Sequence, residues 1–226
     1  MLESLGPAIR TPLASVPCRG ILLALSFVGI AWLTACGALV GVNQWGWARA
    51  DALAWFPLDI LASLCSVLGA IEITGSIALG LAIRWGRRDG FRGGLAPLLL
   101  FAGVAIEVIL KYSLSQPALP RLTAATRWSL PLAQLSLTHA LPAWLYALPY
   151  SFPSGHMLRT TFLLHLLVPS VRCYRAVEGA FLFTMGFTRV YLNEHELSDV
   201  VGGFFLGLTL ATVAAVIYPA RLRKQA

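Results

Sequence analysis

Arg189, His195 and Asp199 are spaced R-x5-H-x3-D, and Pro153, Ser154, Gly155 and His156 stand together some thirty residues upstream. Nearly everything around these two clusters is apolar, and polar groups are costly in such surroundings unless they have a task. Their types suit an anion. Before a helix, Pro153 sets a turn, Ser154 can cap, and Gly155 lets a ligand approach the backbone. Free amides and the helix dipole at that point favour phosphate. Lys111 and Arg189 add positive charge, and an arginine grips two oxygens at once. His195 and Asp199 are four apart, one helical turn if the last helix starts early. The carboxylate then meets one imidazole nitrogen and leaves the other as a nucleophile. His156 is a second histidine, free to donate a proton. The set reads as phosphoryl transfer through a phosphohistidine.

The elements that must position these residues can be read from composition. The chain has 226 residues, 58% hydrophobic and 12% charged, where a soluble domain carries about 25% charge. A bilayer crossing takes roughly 20 apolar residues. Six segments read as crossings, at about 20–42, 57–83, 95–113, 156–171, 176–193 and 198–219, the fourth being short. They are continuously apolar and do not alternate, so helices are expected and a barrel is not. The expectation is an all-α polytopic membrane protein with six transmembrane helices. With no repeat, low-complexity tract or linker, residues 1–226 read as one domain.

Basic residues orient it. With the N-terminus inside, the inner pieces hold Arg10, Arg19, Arg84, Arg87, Arg88, Arg92, Arg172, Arg175, Arg221, Arg223 and Lys224, eleven of the seventeen Lys and Arg. The outer pieces hold Arg49, Arg121 and Arg127; Lys111, Arg159 and Arg189 lie at helix ends. Both termini are therefore expected in the cytoplasm, in a cell inner (plasma) membrane. The net charge of +7 is mostly topology. No basic face is interleaved with exposed aromatics, so no nucleic-acid partner is expected. Residues 21–33 with Leu33-Thr34-Ala35-Cys36 resemble a lipoprotein signal. The apolar run continues through Val42, however, and 19 residues are long for a signal n-region, so a first transmembrane helix is the reading. Cys18, Cys36, Cys65 and Cys173 show no pairing pattern. In this topology Lys111 ends the third segment, Ser154 to His156 open the fourth, Arg189 closes the fifth, and His195 and Asp199 start the sixth. All converge at one depth on the extracytoplasmic side.

These residues carry a family resemblance. The chain resembles the type 2 phosphatidic acid phosphatases (PAP2), membrane-integrated lipid phosphate phosphatases with the pattern K-x6-R-P, P-S-G-H and S-R-x5-H-x3-D. P-S-G-H is intact at 153–156, and Thr188 to Asp199 read T-R-x5-H-x3-D. The resemblance spans about 57–215. It implies that His195 attacks phosphorus, Asp199 orients it and His156 protonates the leaving oxygen. It also implies that Lys111, Ser154, Gly155 and Arg189 hold the phosphate, and that no metal or cofactor is needed. The implied partners are a lipid phosphate substrate and membrane lipids. The first motif departs: seven on from Lys111 stands Ala118, then Leu119, where arginine and proline belong. Gln116-Pro117 keeps part of the motif, and Arg121 comes three residues late. Arg121 is the first candidate for the missing cation, ahead of Arg127 and Arg159 or a site that works with one cation fewer; Arg159 alternatively snorkels.

Other polar residues have plainer readings. His165 and His139 read as structural, Glu107 as an i,i+4 partner of Lys111, and Glu72 as a buried acid or interhelical contact. Trp32, Trp45, Trp47, Trp55 and Trp144 suit a membrane-interface belt. A zinc hydrolase would want H-E-x-x-H, but Asp199 stands where the second histidine belongs. An intramembrane serine protease using Ser154 lacks its elbow, and a transporter would not require a motif-spaced His-Asp pair. A lipid phosphotransferase would use the same phosphoenzyme with an alcohol as acceptor. Residues 115–150 are expected to lie on the outer leaflet as interfacial helices. Phosphatidate, phosphatidylglycerophosphate and polyprenyl diphosphate all present a suitable phosphate.

Overall fold

In a computed structural model the described residues are 15–53, 55–117, 148–168 and 171–219, and all their regular structure is helical. The helices are α1 (Ser15–Ala35), α2 (Val40–Ala52), α3 (Phe56–Gly69), α4 (Ile71–Asp89), α5 (Phe91–Ser113), α6 (Gly155–Leu167), α7 (Arg172–Tyr191) and α8 (Leu197–Ile217).

Two of the expected apolar segments are broken. The run 20–42 splits after Ala35, where Gly37 takes φ +75°, a backbone state that glycine adopts at little cost. Beyond the break, α2 carries Asn43, Gln44, Arg49 and Asp51 and so is no continuation of a span. The run 57–83 breaks at Ala70, and α3 and α4 meet at 40°. The break matters for the contacts built on it. A helix end leaves its last carbonyls without intrahelical partners. The end of α3 offers those of Ser66 and Gly69 to α6. Helix α4 continues to Asp89, beyond the expected Ile83, and turns into α5 at Gly90, φ +76°. Helix α6 is shorter than expected, ending at Leu167.

Among the described residues, three helices are long and apolar enough to cross a membrane: α1 over Cys18–Ala35, α5 and α8. The bent α3–α4 pair makes a fourth. Helix α6 has only 13 residues, about 20 Å at 1.5 Å per residue. Helix α7 carries Arg175, Glu178 and Arg189 along its length. The apolar side chains on the outside, among them Ile21, Leu22, Leu25, Val28 and Trp32 of α1, form a surface that water would not favour.

Helix α8 is the centre. It packs on α6, α1 and α5, and its closest approach is to α6. A Cβ added to Gly203 would lie 3.1 Å from Met157 Cβ and 3.2 Å from Leu158 N, and one on Gly207 would lie 2.7 Å from Leu158 O. This G-x-x-x-G spacing on one face lets two backbones meet. Two apolar cores flank the contact. One joins α4, α5, α6 and α8 through Trp85, Leu100, Leu158, Phe162 and Leu210. The other joins α2, α3 and α7 through Trp47, Ala62, Met185 and Tyr191. The polar clusters lie where the two cores meet, at the C-terminal ends of α5 and α7 and the N-terminal ends of α6 and α8.

Candidate active site

The α7–α8 turn supplies the reactive pair. Helix α7 ends at Tyr191, and the backbone N–H groups of Glu194 and His195 donate to the Arg189 carbonyl at 3.2 and 3.3 Å. The turn passes through Asn193 at φ 54°, a left-handed conformation that asparagine tolerates better than most residues. Glu196 caps α8 in a reciprocal capping box: its side chain accepts from the Asp199 backbone N–H, and the Asp199 side chain accepts from the Glu196 backbone N–H. Helix α8 thus starts at Leu197, after His195. The pair forms nonetheless: His195 Nδ1 lies 3.3 Å from Asp199 Oδ2. That oxygen also accepts the Glu196 N–H at 3.0 Å, and Oδ1 accepts an N–H of Gln116 at 3.0 Å. Asp199 is fully buried. With its carboxylate accepting, Nδ1 carries the hydrogen and Nε2 keeps its lone pair.

The α6 end faces this pair. A cis peptide joins Phe152 to Pro153, and Ser154 N donates to the Asp199 backbone carbonyl at 2.9 Å. Ser154 is the cap residue of α6 but makes no side-chain cap bond, contrary to the capping role its type suggested. Its Oγ is buried without a hydrogen-bond partner, and so is Nε of Arg189. Buried polar atoms are rarely left unpaired, and both atoms belong to residues expected to grip an anion. Arg189 is itself fully buried. It donates to Ser66 Oγ at 2.7 Å, Glu194 Oε2 at 2.6 Å and Ala62 O at 3.0 Å.

The broken end of α3 holds the rest. His156 Nε2 lies 3.1 Å from the Ser66 carbonyl. Arg159 Nε and Nη2 donate to the Gly69 carbonyl at 3.3 and 3.2 Å. Cationic groups suit the negative end of a helix dipole. Arg159 does not snorkel: it is 6% exposed and pairs with Glu107 Oε2 at 3.0 Å. The other oxygen of Glu107 pairs with Lys111 at 2.8 Å, so the i,i+4 partner of Lys111 is shared with α6. The Glu107 carboxylate lies against Gly155, with no room for a Cβ there. Glu72 lies within electrostatic reach of Arg159.

Several expected residues fall elsewhere. Arg121, Arg127, His139 and Trp144 lie outside the described residues, as does most of the 115–150 loop. His165 sits toward the other end of the bundle beside Glu178 Oε1 at 3.3 Å and Arg175 Nη1 at 2.9 Å, consistent with a structural role. Among the described residues, no group of three or more His, Cys, Asp or Glu side chains is placed to hold a metal ion.

Sequence reasoning missed the supports. Asn43 on α2 donates to Glu196 Oε2 and, at 3.0 Å, to Ser198 Oγ, and accepts from Ser198 N at 3.1 Å. Trp47, expected as a belt residue, is buried and donates to the His195 carbonyl at 3.1 Å. Burial first, then the charge of Asp199, pushes the Glu196 carboxyl up to about 7, against the lowering effect of the Asn43 amide. The one available signal was the polar run at 43–51 after an apolar helix.

Similar proteins are known. The sequence profile of the PAP2 superfamily matches residues 93–223. Phosphatidylglycerophosphatase B of Bacillus subtilis is 38% identical over 72 residues, covering 27% of this chain and 36% of the relative. The chain thus spans about a third of the length of that curated relative. The crystal structure of a transmembrane PAP2-type phosphatidylglycerolphosphate phosphatase from Bacillus subtilis superposes with a TM-score of 0.66. It covers 89% of this chain and 96% of that one, at 20% identity.

Proposed function

Because this chain belongs to the PAP2 superfamily, we propose that it is a lipid phosphate phosphatase working through a phosphohistidine, without metal. The observation that carries this reading is the buried His195–Asp199 pair at 3.3 Å beside two unpartnered buried polar atoms, Ser154 Oγ and Arg189 Nε. A phosphate bound by Ser154, the Gly155 amide, Lys111 and Arg189 supplies what those atoms lack.

In this mechanism His195 Nε2 attacks phosphorus. The P–N bond forms as the P–O bond to the lipid breaks. His156, its ring oriented by the Ser66 carbonyl, delivers a proton to the leaving oxygen. Asp199 stabilises the imidazolium. Water then attacks, giving its proton back to His156, and the P–N bond breaks. Preorganised cations and amides carry the developing charge.

Six crossings are compatible with the helices. The bent pair counts as one, and Arg159 of α6 and Glu178 and Arg189 of α7 are buried; buried and paired charges are tolerated at membrane depth. The active site then lies at the extracytoplasmic face, among the outer-leaflet headgroups of the plasma membrane. Phosphatidylglycerophosphate is the first substrate to try, given the Bacillus subtilis matches in sequence and in structure, before phosphatidate and polyprenyl diphosphate. The test is phosphate release from each lipid in detergent without an added alcohol, with quenching in alkaline SDS to trap a phosphoenzyme. Phosphate together with an acid-labile phosphoenzyme that His195→Ala cannot form supports the reading. Turnover only with an acceptor alcohol would make it a phosphotransferase.

A further inference from the structure

We propose that Gln116 is a positioning residue for the His195–Asp199 pair, one that the departure in the first motif conceals. Its side chain makes four hydrogen bonds to two of the three motif regions. Nε2 donates to Asp199 Oδ1 at 3.0 Å. Oε1 accepts from Ser151 N at 2.8 Å, Ser151 Oγ at 3.1 Å and Phe152 N at 3.0 Å. The first bond pins the oxygen of Asp199 that does not face His195. The others tie the segment leading into Pro153-Ser154-Gly155-His156 to the same carboxylate. Gln116 reaches both because it lies just past the end of α5 at Ser113, five residues after Lys111.

The residue type decides the matter. A primary amide donates and accepts through one planar group. An arginine here could donate to Asp199 but could not accept the two amides. A glutamate could accept, but could donate to Asp199 only while protonated. Asparagine is one methylene short. Gln116 therefore does not replace the arginine of the family pattern as a cation; it orients the nucleophile's partner. This assignment rests on His195 being the nucleophile.

The charges facing the pair come from every side: Lys111 and Glu107 on α5, His156 and Arg159 on α6, Arg189 on α7, and Glu194 and Glu196 in the turn. A negative charge at 116 would add to this field where a donor now stands, and would favour the imidazolium over the neutral ring that must attack.

Gln116→Glu, Gln116→Met and His195→Ala would be compared with the wild type in dodecyl maltoside. Phosphate release from phosphatidylglycerophosphate would be followed from pH 5 to 9, alongside thermal unfolding. Gln116→Glu keeps the acceptor for residues 151 and 152, and Gln116→Met keeps only the length. Both should lower kcat about 10- to 100-fold with KM within about threefold, the range seen for groups that orient a working histidine. In Gln116→Glu the acid limb of kcat/KM should leave its wild-type position, since the added carboxyl would face Asp199 at hydrogen-bond distance, with unfolding close to wild type. An acid limb that stays in place, or a loss that tracks thermal stability or KM alone, overturns the role. The two hypotheses separate cleanly. An active His195→Ala removes the phosphohistidine reading and this assignment with it. An inactive His195→Ala with an unmoved acid limb removes only Gln116.

Discussion

His195 differs from an ordinary helix-end histidine in how completely its neighbours are committed. Asp199 is held by Glu196 N and Gln116 Nε2, and the His195 carbonyl by Trp47. His195→Ala should abolish phosphate release with folding intact, measured as phosphate and as unfolding temperature; activity within tenfold of wild type would end the phosphohistidine mechanism. Asp199→Asn should cost on the order of 10⁴ in kcat, as for other histidine-orienting carboxylates. Glu196 titrates in a different way. Its folded-state pKa of about 7 lies above its ordinary 4.5. The folded protein therefore binds the extra proton, and the stabilisation is full below 4.5 and lost as pH rises through about 7. The unfolding temperature of the wild type should fall between pH 5 and 8 relative to Glu196→Gln, whose amide oxygen still accepts from Asn43. Parallel curves for the two proteins would show that Glu196 carries no such proton.

At the scale of the element, the α6–α8 contact sets where the phosphate cradle stands. Gly203 meets Met157 and Leu158 almost backbone to backbone, one turn past Ser154. Gly203→Val would push α6 outward, costing about 1–3 kcal/mol of stability and shifting Ser154 and Gly155 away from the pair. Activity should fall at least tenfold at temperatures where the variant stays folded, because an ångström of misplacement can cost about a hundredfold. Gly80→Ala on α4 is the control: nothing lies within 4 Å of its added Cβ, so activity should hold and stability stay level or rise slightly. The broken α3–α4 pair has a parallel use. Its bend frees two carbonyls that hold His156 and Arg159, which an unbroken helix would have consumed.

For the whole molecule the property to measure is which membrane face carries the site. A cysteine at Ser113, exposed at the end of α5, should react in intact cells with an impermeant thiol reagent. One at Arg88, on the last turn of α4, should not. Cys18, Cys36 and Cys173 are exposed and would be replaced first, together with Cys65. Reversed labelling would assign the enzyme to inner-leaflet lipids while leaving its chemistry untouched. Excess EDTA should leave phosphate release unchanged, since lysine, arginine and backbone amides supply the charge that a metal supplies elsewhere. Vanadate, a mimic of five-coordinate phosphorus, should inhibit.

What the sequence determined by itself was local or compositional. His195 and Asp199 are four residues apart, Glu107 and Lys111 likewise, and Arg189 is joined to His195 by one tight turn, so spacing alone placed each pair within reach. Continuous apolar runs established the helical class. Hydropathy could not register the breaks after Ala35 and at Ala70, because a bend in an apolar run leaves its composition unchanged. Nor could it show that Arg159 points inward, since a long cationic side chain can extend either way until a carboxylate and a free carbonyl are placed near it. The supports of the site are the long-range contacts: Gln116 to Asp199 across 83 residues, Arg159 to Gly69 across 90 and Asn43 to Glu196 across 153. No periodicity links such positions. They meet only because glycine-lined packing of α6 on α8, and of α2 on the α7–α8 turn, closes the gaps between helices that are far apart in the chain.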